Sequence, residues 1–383
     1  MEITGLSNVE IDIQGTLLWS TDISYWLANS LPMGYQNHST AFILGGDRVH
    51  MYSSTGVGTF DGNGQVWYDA YGTISNYPRR PHQITFNGLT NSVVEGIKFV
   101  QSQMWTMTLI YSSKVLMQDI YINNTNFKNN EYGHNLNTDG ADTIYASDIT
   151  FVRFVIDNGD DNIAFKASKF TLEYVDGARK LIMTSSQWLS RYFFPLISCH
   201  ADSTNILVED CTFYRSTGVA FGSIGQFENQ FEVLEDITVR KIAAYNNKYG
   251  AYVKTWTGVV QGTPPNGGGA GLGYLRNVTV SDFTVENALQ AFYMTQCNSY
   301  SGFTGQCDTS KFQISDLSIA TMAGSLQTDV VASMQCSGAA PCTDISIRDV
   351  YFKVNGGASA KQYLCSNVVS PDGFECTGRA PQT

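Results

Sequence analysis

Apolar and polar residues alternate in short runs along most of the chain. One phrase recurs: a polar residue, usually Asn or Asp, then apolar, mostly β-branched residues at every second position. It is found at 8–13 (NVEIDI), 92–97 (SVVEGI), 114–120 (KVLMQDI), 148–151 (DITF), 205–210 (NILVED), 236–239 (DITV), 277–280 (NVTV) and 344–347 (DISI). A period of two is the signature of a β-strand, and few helical patterns compete with it. Many short strands at coil-length intervals, punctuated by Gly and Asn, suit a solenoid in which each coil buries its neighbour's apolar face. The pattern predicts an all-β chain folded as a single right-handed parallel β-helix over residues 1–383. A β-sandwich or propeller is the competing architecture, and the fixed phrase fits coil stacking better.

The repeat has one break. Steps between equivalent positions are 22 residues from Val93 to Val115, 34 to Ile149, 57 to Ile206 and 31 to Ile237. The long step contains 168–201, 34 residues without the phrase, and removing them leaves an ordinary coil of 23. Unpatterned loops of this length inside a compact domain are uncommon unless they serve a function.

Two acidic motifs fall one coil apart: Asn137-Thr138-Asp139-Gly140 and Asn158-Gly159-Asp160-Asp161. Stacked strands lie about 4.8 Å apart, so equivalent positions on successive coils become neighbours. Asp139, Asp160 and Asp161 are therefore expected on one face. Crowded like charges raise at least one carboxyl pKa, which sets a protonated acid beside ionised bases. Glycoside hydrolysis needs that pair of roles. Either motif alone reads as ordinary turn chemistry; both at one-coil spacing do not. A Gly-punctuated strand at 216–225 follows, and then Tyr252-Val253-Lys254, where alternation puts Tyr252 and Lys254 on one side of a strand. A cation there would hold a sugar carboxylate and a tyrosine would stack on a sugar ring; a solvated Lys beside a core aromatic is the plainer alternative.

Composition narrows the setting. The chain has 383 residues, 43% hydrophobic and 15% charged, with a net charge of −11. That excludes a disordered chain or a coiled coil, and the acidic balance argues against nucleic acid. No apolar run is long enough to span a membrane. Six of the eight cysteines form close local pairs, Cys297 with Cys307, Cys336 with Cys342 and Cys365 with Cys376. Such pairs read as disulfide staples of C-terminal coils (297–383) in a secreted protein, although six cysteines allow fifteen connectivities. Sequons at Asn37, Asn123 and Asn277 agree with secretion. The start, Met1-Glu2-Ile3-Thr4, has neither the basic residues nor the apolar stretch of a signal peptide. His134 and His200 are unconvincing as catalytic groups, and no metal or cofactor is implied.

These residues resemble the pectin-cleaving glycoside hydrolases of family 28, which include polygalacturonases and rhamnogalacturonases. The resemblance runs from about Asn8 to Asp349 and includes the early phrase 58–65 (GTFDGNGQ) with Trp67. It implies the parallel β-helix and hydrolysis with inversion, with Asp160 as general acid and Asp139 and Asp161 as bases. Substrate contacts carried over are Asn137, Thr217, Gly218, Tyr252 and Lys254. Two positions depart from the polygalacturonase pattern: Thr217 stands where G-H-G has His, and Tyr252 stands where R-I-K has Arg. Loss of a cation weakens recognition of an acidic sugar. The run 252–258 and the Pro-Gly segment 264–269 resemble the fungal exo-acting branch, which implies a secreted, monomeric exo-hydrolase of pectic polysaccharide. It would release terminal rhamnose, with galacturonate as the alternative. The same resemblance gives 168–201 two readings. One is a non-native insert from a retained intron, which the in-frame GTAAG donor encodable at Ala167-Ser168-Lys169 favours; the other is an active-site lid. A calcium-dependent lyase and an inactive pectin-binding protein are the rival functions.

Overall fold

The computed structural model describes residues 1–129, 133–167, 202–260, 268–298, 306–355 and 357–382, with the backbone of 173–176 and 179–182. Its main element is one continuous parallel sheet wound into a right-handed β-helix. The site-bearing face stacks, in order, Met107–Ile110, Ala141–Ile144, Asp161–Lys166, Gly218–Ile224, Tyr249–Trp256, Gln290–Asn298 and Val330–Gln335. A second stack runs through Ser113–Gln118, Ser147–Val152, Asp202–Tyr214, Phe231–Tyr245, Leu272–Ala288, Gln313–Leu326 and Cys342–Val354.

The recurring phrase builds a corner and then a core row. Its leading residues, Lys114, Asp148, Asn205, Asp236, Asn277 and Asp344, all have φ between 51° and 59°. This left-handed conformation turns the chain from one sheet into the next, and Asn and Asp tolerate it best. Asn205 Nδ2 donates to Asp148 Oδ1 and Asn277 Nδ2 to Asp236 Oδ1, both at 2.5 Å, so the corners also bond along the stack. The next residue points inward. Val115, Ile149, Ile206, Ile237, Val278, Leu317 and Ile345 form one buried row. Burying each contributes roughly 1.5–3 kcal/mol. The register shifts one sequence-level equivalence: Val115 stacks on Ser92, and Val93 on Leu116. Ser92 takes the inward place at 3% exposure and its Oγ accepts the Val49 N–H at 2.9 Å.

The ladder also steps across the break in the repeat. Ser147 pairs with Thr204, and Asp161 with Gly218, as neighbouring coils do. Within 168–201 the described backbone is an antiparallel pair, Glu173–Asp176 with Arg179–Ile182, apart from the parallel sheet; the rest of that expected insert lies outside the described residues. Cys297–Cys307, Cys336–Cys342 and Cys365–Cys376 form the three expected disulfides, and Cys211 is free and buried. No helix among the described residues is long and apolar enough to cross a membrane.

Candidate active site

The two acidic motifs precede or open successive strands of one face. Asp139 lies just before Ala141–Ile144, and Asp161 begins Asp161–Lys166. Backbone bonds lock the loops together: Gly140 N–H donates to Asp161 O at 2.9 Å and Thr217 N–H to Asp160 O at 3.0 Å. Asp139, Asp160 and Asp161 each bring a carboxylate oxygen within 4.8 Å of the others. Asp139 and Asp161 are buried, whereas Asp160 is partly exposed. One Asp160 oxygen accepts the Asn137 N–H at 3.0 Å, and the Asn137 amide is itself held by Ser75 and Asn76.

The outward rows of this face explain the surroundings. Asp142, Ala164, Ala220 and Tyr252 are successive partners. The two alanines leave space over which the Tyr252 ring lies, so that its hydroxyl donates to Asp161 Oδ1. The ring is only 4% exposed, and the expected stacking face for a sugar is covered. In the next row Lys254 lies opposite Gly222. A Cβ at Gly222, whose φ is +122°, would meet Lys254 O at 2.2 Å, so only glycine fits between the coils. Lys254 Nζ bonds to Asp161 Oδ2 at 3.0 Å and to the Tyr252 hydroxyl at 2.9 Å. This ammonium is therefore paired with the protein's own carboxylate, while its side chain, 22% exposed, still borders the cavity. Thr217 is buried beside Asp160, and Gly218 pairs with Asp161; neither lines the cavity.

Two charged residues join that sequence reading did not single out. Lys166 Nζ lies 2.7 Å from Asp142, 3.6 Å from Asp139 and 3.9 Å from Asp161, and stands 4.5 Å over the Trp105 ring. Asp142 is fully buried. The alternation of 161–166 carried the only signal: it sets Lys166 on the outward side with Ala164, without showing what it faces. Burial opposes the Lys166 charge, yet Asp142, Asp139 and Asp161 together raise its pKa. Burial pushes Asp142 up to about 7 against the pull of Lys166. Burial, then repulsion from Asp142 and Asp160, pushes Asp139 well above the usual carboxylate range. Asp160 is also raised, first by burial and then by Asp161, while Lys254 and the Asn137 N–H oppose. The Asp139, Asp160 and Asp161 carboxylates have a cation-sized spacing, but the Lys166 and Lys254 ammonium groups already lie against them.

The acids open into a cavity of about 480 Å³ that includes Tyr35, Gln36, Trp105, Trp256 and Asn298. A clasp across 190 residues stands at its Tyr35–Gln36 border: Gln36 Nε2 donates to Gln226 Oε1 at 2.6 Å. Gln226 Nε2 donates in turn to the Tyr35 hydroxyl at 2.7 Å. The Gly-rich segment braces it, with Gly269 N–H donating to Gln226 O at 2.8 Å, as suits a turn.

The sequence profile "Glycosyl hydrolases family 28" matches residues 3–178 and 196–376. "Alpha-L-rhamnosidase rgxB" of Aspergillus niger is 43% identical, covering 99% of this chain and 80% of the relative. "Putative galacturan 1,4-alpha-galacturonidase A" of Aspergillus flavus is 35% identical, over 97% of this chain and 82% of its own. The crystal structure of endo-xylogalacturonan hydrolase from Aspergillus tubingensis superposes with a TM-score of 0.76 at 22% identity, over 99% of this chain and 89% of that one, and so shares the fold. With the acidic motifs on neighbouring coils of that fold, the chain belongs to glycosyl hydrolase family 28.

Proposed function

We propose that this hydrolase is an extracellular exo-enzyme that inverts the anomeric centre and releases terminal rhamnose from pectic polysaccharide. The observation that carries the sugar choice is the cavity's charge pairing. Lys166 and Lys254 are both bonded to enzyme carboxylates, and Tyr252 stands where an arginine would supply a further cation. A terminal galacturonate would meet these carboxylates with only cations that are already paired to them; a neutral deoxysugar does not incur that cost. The similarity to the A. niger rhamnosidase points the same way. The Tyr35–Gln36–Gln226 clasp supports exo action, because a barrier held at the border of the cavity would admit a chain terminus and stop an internal segment.

In this mechanism Asp160, its pKa raised by burial and by Asp161, gives its proton to the glycosidic oxygen as the bond to the anomeric carbon breaks. On the opposite face Asp139 orients a water and Asp161 takes its proton as it attacks. Asp139 Oδ1 is buried without a hydrogen-bond partner and is available to that water. The oxygens lie closer than the roughly 6.5–9.5 Å of many inverting pairs. Inversion rests on the family resemblance.

Chromatography of products from rhamnogalacturonan and polygalacturonate oligomers tests the proposal. Free rhamnose supports it, and free galacturonate alone refutes the sugar assignment. Proton NMR of the first-formed anomer tests inversion. Opening the clasp with Gln226→Ala is expected to add oligomeric products to the monosaccharide; a product pattern that stays purely monomeric would count against the clasp as the stop. We also propose that 168–201 stands outside the native repeat. Support comes from the ladder that passes from 166 to 202 and from the unmatched residues 179–195. Transcripts joining Lys166-Ala167 directly to Asp202-Ser203 are expected; peptides from 172–191 in secreted protein would overturn this.

A further inference from the structure

A second hollow, of about 370 Å³, lies at the opposite ends of the same strands. The clasp lies beyond the C-terminal ends, where Gln226 follows Gly218–Ile224. The second hollow is formed where the chain enters these strands, by Asn135, Asn158, Ser216, Asn247, Lys248 and Leu289 among others. Asp160 stands between the two, bonded through its carbonyl to Thr217, the residue after Ser216. With a terminal sugar in the first cavity and the clasp as its far wall, the leaving portion of the chain would extend over this hollow.

Its charges are unevenly matched. Arg215 and Asp157, also on its wall, form a pair through two hydrogen bonds and satisfy each other. Lys248 is exposed, and no carboxylate of the described residues lies within ion-pair distance of its Nζ. Its backbone is fixed on both sides: Lys248 N–H donates to Ser216 O at 2.8 Å, and Leu289 N–H donates to Lys248 O at 3.0 Å. The Nζ stands 5.3 Å over the Tyr249 ring, which is stacked on Tyr293 at 4.7 Å between centroids. A rigid backbone thus presents an uncompensated ammonium over an asparagine-lined hollow. Its pKa is lowered by loss of solvent, with the Asp160 charge working in the other direction, which agrees with a place close to the catalytic acid.

We propose that this hollow is the leaving-group subsite and that Lys248 binds the carboxylate of a uronic acid directly behind the terminal sugar. This deepens the proposed function and rests on it: the enzyme reads a neutral terminal sugar where its cations are paired with its own carboxylates, and the acidic second sugar where a cation is not. A charge-assisted bond from a single ammonium discriminates carboxylate from alcohol at one position only, so the effect belongs to binding of one sugar.

The test is a cycle of substrates and variants. Three substrates are compared: a rhamnogalacturonan tetrasaccharide ending in rhamnose on galacturonate, the same tetrasaccharide with carboxylates reduced to alcohols, and p-nitrophenyl α-L-rhamnoside. For the wild type, kcat/KM is expected to fall about tenfold on carboxyl reduction, mostly through KM. Lys248→Gln should lose that factor on the acidic substrate and be indifferent to reduction, with the aryl rhamnoside unaffected; Lys248→Arg should retain it. Equal losses on all three substrates would place Lys248 in the chemistry through Asp160 and overturn the proposal. No loss on any, or a wild type indifferent to reduction, would overturn it too. If the wild type frees no rhamnose, the proposed function fails separately. Calorimetric binding of the acidic tetrasaccharide to Asp160→Asn, with and without Lys248→Gln, then still decides whether Lys248 holds the carboxylate; equal affinities would sink it.

Discussion

The corner ladder and the outward rows of the catalytic face use the same coil geometry in opposite ways. At the corner every coil places the same chemistry, as in Asp148, Asn205, Asp236 and Asn277, and each left-handed residue supports the next. On the catalytic face Asp142, Ala164, Ala220 and Tyr252 are equivalent by register and share no chemistry. Stacking demands repetition wherever a residue fills the interior or turns the chain. It demands nothing of side chains that point outward, and there each coil is free to supply one different part of a site.

That contrast can be broken from either side. The largest effect is expected from Asp160→Asn, which should lower kcat by about 10²–10⁴ through loss of general acid catalysis while leaving the unfolding transition in place. Sugar-release assays beside urea denaturation check both halves. Next comes the interior. Phe165 is fully buried against Phe221, and Phe165→Ala should cost about 3–5 kcal/mol of unfolding free energy, in denaturant titration, by opening a cavity. The pH dependence of kcat/KM should stay as it is, because Phe165 bears no proton.

Lys254→Met probes the outward row more gently. Lys254 pulls down the raised pKa of Asp160, so its removal lets that pKa rise further. The acid then stays protonated to higher pH, and the alkaline limb of the kcat/KM profile should move upward; a downward move would contradict the charge arrangement. The smallest effect is expected at the corner, where Asn205→Ala forces an ordinary side chain into φ near +54° at about 1–2 kcal/mol. Asn205→Gly should restore most of it, and neither change should alter kcat, as paired thermal melts and kinetics would show.

Much of the scaffold was legible because it is periodic. The phrase at 148–151, 205–210 and 236–239 carries both the left-handed corner and the first inward residue, so reading it located the core row. Where the phrase blurs, as at 92–97, the reading slipped by one residue, since Ser92 holds an inward place that Val93 resembles more closely. The acids were legible for a related reason: two motifs one coil apart must meet, whatever surrounds them. Tyr252 and Lys254 were found on one strand face, but their partner Asp161 lies 93 residues from Lys254 along the chain. Lys166, Asp142 and the Gln36–Gln226 clasp carried no comparable pattern.

The amino-acid sequence by itself determined the solenoid and the meeting of two acidic motifs, and it grouped the C-terminal cysteines into close local pairs whose bonding the structure then fixed. Each of these follows from local conformational preference or from a fixed spacing along one coil. The tertiary structure decided which charges are spent and which are open. Burial and long-range pairing tie Lys166 and Lys254 to the enzyme's own carboxylates, cover the face of Tyr252 and leave Lys248 without a described carboxylate partner. Electrostatic pairing depends on distances across coils that stacking sets and that no local pattern encodes.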